Sequence, residues 1–86
     1  MSYRLEFTRT ALKGLTQLHP QVNRRLKEPI LLLADDPEPP GSLQLAGQPA
    51  GSRRLRVGDY RVLYQVDEEA RVVTITKVGP RGTVYC

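Results

Sequence analysis

The spacing of apolar residues along this 86-residue chain predicts an α+β domain. An N-terminal strand joins an antiparallel-rich sheet, and a helical hairpin covers one face of it. Three observations predict this. Tyr3, Leu5 and Phe7 alternate with Arg4 and Glu6, as in a half-buried strand. Two runs at helical spacing follow, one carrying Ala11, Leu15 and Leu18 and the other Val22, Leu26, Ile30 and Leu33. The rest of the chain reads as short strands separated by turn residues.

Each element has a local cause. Thr8 or Thr10 can cap the first helix, which Gly14 weakens. His19-Pro20 ends that helix, because the residue before a proline is pushed out of the α region, and Pro20 suits the first turn of the next. Pro29 lies inside the second apolar stripe. A regular helix loses about 3 kcal/mol there, so a kink or break is expected. So short a link between helices predicts antiparallel packing. Asp35-Asp36-Pro37 stops the second helix, Leu43 to Leu45 is a candidate short strand, and loops run from Pro37 to Gly41 and from Gly47 to Gly51. Asp67-Glu68-Glu69-Ala70 forms an acidic turn before a strand from Val72 to Val78, which Gly79-Pro80 is expected to break. The last three strands, joined by short connections, are expected to be antiparallel neighbours. No repeat or linker divides the chain, so residues 1–86 read as one domain.

The stretch from Ser52 to Tyr64 carries the chemistry. Gly58-Asp59 reads as a two-residue hairpin loop with φ > 0 at its first position. Val57 then opposes Tyr60, Arg56 opposes Arg61, and Leu55 opposes Val62. Opposed residues share a face and faces alternate, so Ser52, Arg54, Arg56, Arg61 and Leu63 share one face. Leu55, Val57, Tyr60, Val62 and Tyr64 share the other, which would meet the helices. Like charges opposed on a sheet repel, so three clustered guanidinium groups call for an anion. Arginine's planar fork of donors suits phosphate. The alternative is a solvated face with carboxylate partners elsewhere.

Composition sets bounds. The formal net charge is +4, and ten of the thirteen basic residues are arginine, which points to an acidic partner such as nucleic acid. No apolar run is long enough to span a bilayer, and no charged stretch followed by an apolar run opens the chain, so no signal peptide is expected. The lone cysteine, Cys86, cannot form an intramolecular disulfide, so a cytoplasmic setting is expected, and one Cys with one His argues against a zinc site.

The ordered set Tyr3-Arg4-Leu5-Glu6-Phe7, Ala11-Leu12-Lys13, Leu45-Ala46-Gly47, Arg54-Leu55-Arg56, Gly58-Asp59-Tyr60-Arg61-Val62-Leu63-Tyr64 and Val78-Gly79, with Arg81 and Tyr85, spans nearly the whole chain. In this set the chain resembles the RelE-family toxins of type II toxin–antitoxin systems, within the RelE/ParE superfamily. The resemblance implies a RelE-like fold and a ribosome-dependent endoribonuclease that needs no metal or other cofactor. In such enzymes the RNA 2′-hydroxyl attacks the adjacent phosphate, leaving a 2′,3′-cyclic phosphate and a 5′-hydroxyl. The implied partners are a cognate RelB-like antitoxin, the ribosome and messenger RNA, with DNA contacted only through the antitoxin complex and no membrane.

The resemblance also implies roles by position. Arg61 stabilises charge on the phosphate, Arg81 sits by the leaving oxygen, and Tyr85 stacks on a base. Arg54 falls where the family often has a lysine invoked as base or phosphate clamp. Ser52 falls where a further lysine is common, and Arg53 or Arg56 is the candidate replacement for RNA binding. The general base is unassigned. Arginine stays protonated, His19 lies at the inter-helix turn away from the arginine face, and Glu6 and Asp59 read as structural. Two other functions compete: a ParE-like inhibitor of DNA gyrase, and an inactive homologue that only binds its antitoxin. Retention of Arg54, Arg61, Arg81 and Tyr85 favours the nuclease. Serine at position 52 keeps the inactive reading open.

Overall fold

The computed structural model describes residues 2–80. In chain order these form β1 (Arg4–Phe7), α1 (Arg9–Thr16), α2 (Pro20–Leu32), β2 (Ser42–Gln44), β3 (Ser52–Val57), β4 (Tyr60–Asp67) and β5 (Val72–Pro80). The five strands make one sheet in the order β1-β5-β4-β3-β2. The β2–β3, β3–β4 and β4–β5 pairs are antiparallel, while β1 runs parallel to β5. The α+β architecture is therefore the expected one, with one parallel pair that short connections could not reveal. A parallel neighbour needs a crossover, and α1 and α2 lie within it.

Helix starts follow local chemistry. The Thr8 hydroxyl accepts the Ala11 N–H at 3.1 Å and so caps α1. Exposed His19 caps α2, its Nδ1 accepting the Gln21 N–H at 3.1 Å. The expected break at Pro29 does not occur, since α2 runs through it to Leu32. The apolar stripe outweighs the lost bond: Leu26, Ile30 and Leu33 are all buried in the core on both sides of the proline. The Asn23 side chain ties the helices together by donating to the Leu15 carbonyl at 2.8 Å.

Ala11 of α1, Leu26 and Ile30 of α2 and Leu33 at the α2 C-cap pack on Leu55, Val62, Tyr64, Val73, Ile75 and Val78 of the sheet, with Val57 and Tyr60 partly buried against them. The apolar face of the hairpin thus meets the helices as expected. Gly14 has a packing reason: a Cβ there would lie 2.5 Å from the Val78 carbonyl oxygen, so its absence lets α1 lie directly on β5.

Strand β5 does not break at Gly79-Pro80. Gly79 pairs with Arg61 and Pro80 with Tyr60. Strand β1 ends opposite Ile75, so near Pro80 the strand has β4 as its one neighbouring strand among the described residues, and a missing N–H is tolerated. A register shift on the β4–β5 pair has more consequence. Leu63 pairs with Lys77 but Tyr64 pairs with Ile75, which leaves Thr76 as an extra residue. Its hydroxyl donates to the Leu63 carbonyl at 3.1 Å, and its own carbonyl accepts the Thr8 hydroxyl at 2.9 Å. The bulge is therefore anchored to the N-cap of α1.

Tyr64 fixes the loop before β2. Its ring is buried and its hydroxyl donates to the Pro37 carbonyl at 2.6 Å. Removing the hydroxyl strands a buried acceptor, so Tyr64→Phe is expected to lose about 1–2 kcal/mol in urea unfolding at pH 7. Burial also raises the phenol above its ordinary value of 10.0. The folded state then holds this proton more tightly than the unfolded chain. The associated stability is complete below pH 10 and is lost as pH rises through the folded value. Melts taken across the alkaline range should show a shallower loss for Tyr64→Phe than for the parent.

Candidate RNA-processing site

The hairpin has the register its sequence predicts. Leu55 pairs with Val62, Arg56 with Arg61 and Val57 with Tyr60. Gly58 closes the loop at φ 59°. In the next register positions Arg54 pairs with Leu63, which itself pairs with Lys77. Arg54, Arg56 and Arg61 therefore share the sheet face opposite the helices, as expected.

Arg61 is 5% exposed although it carries a permanent charge. Its terminal nitrogen donates to the Tyr60 carbonyl at 3.4 Å, and its Nε has no hydrogen-bond partner. Among the described residues the ion pairs are Arg4 with Glu6 and Arg71 with Glu68, so neither Arg56 nor Arg61 has a carboxylate partner there. A buried cation without a counterion is costly. This disfavours a plain solvated face and makes the surface receptive to an anion. The acidic residues gather elsewhere. Glu6, Asp67, Glu68 and Glu69 line a cavity beyond Gln65 and Thr74. One sheet face is thus basic toward the β3–β4 turn and acidic toward the β4–β5 turn.

Arg53 does not join the cluster. Its register partner is Tyr64, which places it on the helix-covered face, where its guanidinium donates to the Ser42 hydroxyl at 2.9 Å. Alternation puts neighbouring residues of a strand on opposite faces, so Arg53 cannot replace a lysine at position 52 while Arg54 stays on the arginine face. Exposed Arg56 shares that face. Ser52 is buried beside Gln65, whose amide donates to its hydroxyl at 3.4 Å. Arg81 and Tyr85 lie outside the described residues.

The sequence reading missed Lys77. Strict alternation from Val73 and Ile75 would send residue 77 into the core, and the bulge at Thr76 turns it to the arginine face instead. A signal was present. Apolar positions at 73, 75 and 78 break the period of two, as one inserted residue would.

The chain is similar to known proteins along nearly its whole length. Residues 5–85 match the family described as ParE toxin of type II toxin–antitoxin system, parDE. The chain is 34% identical to Toxin RelG of Mycobacterium tuberculosis over 86 residues, covering 99% of this chain and 98% of RelG. It is also 34% identical to the mRNA interferase toxin RelE of Escherichia coli over 82 residues, covering 94% of this chain and 85% of RelE. The fold is similar to a chain of the RelBE2 toxin–antitoxin complex of M. tuberculosis, with a TM-score of 0.83 and 32% identity, covering 94% of this chain and 100% of that one. With sequence and fold in agreement along nearly its whole length, the chain belongs to the RelE/ParE superfamily of toxin–antitoxin toxins as a RelE-family member.

Proposed function

We propose that this toxin cleaves messenger RNA on the ribosome and is held inactive by a cognate antitoxin. The observation that carries the reading is Arg61, buried without a carboxylate partner among the described residues on the face it shares with Arg54 and Arg56. In-line attack of a 2′-hydroxyl on its own phosphate needs alignment of three atoms and compensation of charge on the phosphoryl oxygens. The O2′–phosphorus bond forms as the phosphorus–O5′ bond breaks, giving a 2′,3′-cyclic phosphate and a 5′-hydroxyl. Arg61 and Arg54 supply the compensating charge without a metal, Arg56 holds the strand, Arg81 assists the departing oxygen, and Tyr85 stacks on a neighbouring base. Stacking of this kind contributes about 1–3 kcal/mol per base. The ribosome completes the site by holding the message in the attack geometry.

The mRNA interferase name of the E. coli relative supports the activity, and the RelBE2 toxin–antitoxin complex supports the antitoxin. Leu31, Leu32 and Leu43, each about half exposed, offer apolar surface for such a partner. DNA contact would come only through the antitoxin complex. The matching ParE description favours a second reading, inhibition of DNA gyrase without chemistry by the toxin itself. Induced expression in a bacterial host, followed by primer extension of messenger RNA, separates the readings. Cuts within translated codons are expected. DNA breaks with intact message would establish the gyrase reading, and unimpaired growth would mark an inactive homologue.

A further inference from the structure

We infer that Lys77 is the proton acceptor of this site, taking the 2′-hydroxyl proton as the oxygen attacks phosphorus; the inference rests on the RNA-cleavage reading. Three observations on this chain lead to it. The bulge at Thr76 places Lys77 opposite Leu63, in line with Arg54 across β5, β4 and β3. Arg61 is its diagonal neighbour on β4, about 7–8 Å away between Cα atoms by ordinary sheet geometry. The β3 and β4 positions of this face hold buried Ser52 and the permanently protonated Arg54, Arg56 and Arg61, none of which is a ready proton acceptor.

Among the described residues, the charged groups that the register brings near Lys77 are mostly cations. From β4 comes Arg61, and from β3 come Arg54 and Arg56. Strand β1 contributes Glu6, beside Thr74, and Arg4 beside Val72. Helix α1, with Arg9 and Lys13, packs on the other face of β5. Unlike the arginines beside it, lysine has a side chain that can serve as a proton acceptor. The step balances. The neutral amine takes the 2′-hydroxyl proton, the O2′–phosphorus bond forms, the phosphorus–O5′ bond breaks, the departing 5′-oxygen takes a proton from water, and the resulting hydroxide takes the proton back from the ammonium.

The test is single-turnover cleavage of ribosome-bound message by the parent, Lys77→Arg and Lys77→Met over about pH 6 to 9, a range below free lysine's ordinary value. Ribosome co-sedimentation and urea melts monitor binding and folding. General-base catalysis contributes 10²–10⁴-fold, so both variants should cut about 10²-fold or more slowly than the parent while still binding ribosomes. Lys77→Arg keeps the positive charge but has no proton acceptor, so it should lose as much rate as Lys77→Met. If Lys77→Arg keeps the parental rate and profile, Lys77 supplies charge only and the inference fails. If the parent itself leaves ribosome-bound message intact, the cleavage reading fails, and the inference with it.

Discussion

Arg61→Ala is expected to slow cleavage of ribosome-bound message by about 10²-fold or more, the scale for removing one preorganised charge-stabilising donor. Ribosome binding should change little, because Arg54, Arg56 and Lys77 keep the face basic. The split between rate and binding distinguishes Arg61 from a general electrostatic contact, whose loss would weaken both together. Stability gives an independent reading of the same substitution. Arg61 is almost fully buried with its Nε unpartnered, so the folded protein already bears a charge-burial cost that alanine removes. Loss of side-chain packing opposes this gain. Urea melts of the variant beside its cleavage rate therefore show whether the catalytic loss outlasts intact folding. Parental cleavage by Arg61→Ala would take the active site off the hairpin face.

The second large effect is structural. Gly51 precedes β3 at φ +85°, and a Cβ there would lie 2.4 Å from the Val66 carbonyl oxygen on β4. Its own carbonyl accepts the Val66 N–H at 2.9 Å, so the entry to β3 is pinned to the far end of β4. Gly51→Ala faces a backbone strain of about 1–3 kcal/mol and an overpacking term of about 1–3 kcal/mol. The expected loss is about 2–6 kcal/mol, which lowers the melting temperature by about 8 °C or more in a domain of this size. Gly47→Ala is the control. Its φ is +76°, but nothing lies within 4 Å of the added Cβ, so it meets the backbone strain alone. Equal melting temperatures for the two variants would refute the close approach at Val66.

The contrast between Arg61 and Lys77 shows what the sequence makes legible. The arginine hairpin is local. Gly58 sets the loop, alternation sets the faces, and together they give the pairing of Arg56 with Arg61. Alternation also separates Arg53 from Arg54, and only its place beside Ser52, where the resemblance implies a lysine, argued for placing Arg53 with the RNA. Lys77 depends on a bulge whose cause is not local, since Thr76 bonds to Leu63 on β4 and to Thr8 at the start of α1. The parallel pairing of β1 with β5 likewise depends on a crossover through both helices. At Pro29 a local rule failed for a tertiary reason, because burial of Leu26, Ile30 and Leu33 outweighs one lost helical bond. The stretch holding Arg81 and Tyr85 is read from the sequence alone.

The central claim is RNA cleavage by the arginine face with the ribosome's help. It is tested most directly by incubating the purified toxin with one message, free and bound to programmed ribosomes, and analysing the ends produced. The account predicts slow cutting of the free message, a large acceleration on the ribosome, and products ending in a 2′,3′-cyclic phosphate and a 5′-hydroxyl. Equal cleavage of free and ribosome-bound RNA, or 5′-phosphate ends, would contradict it.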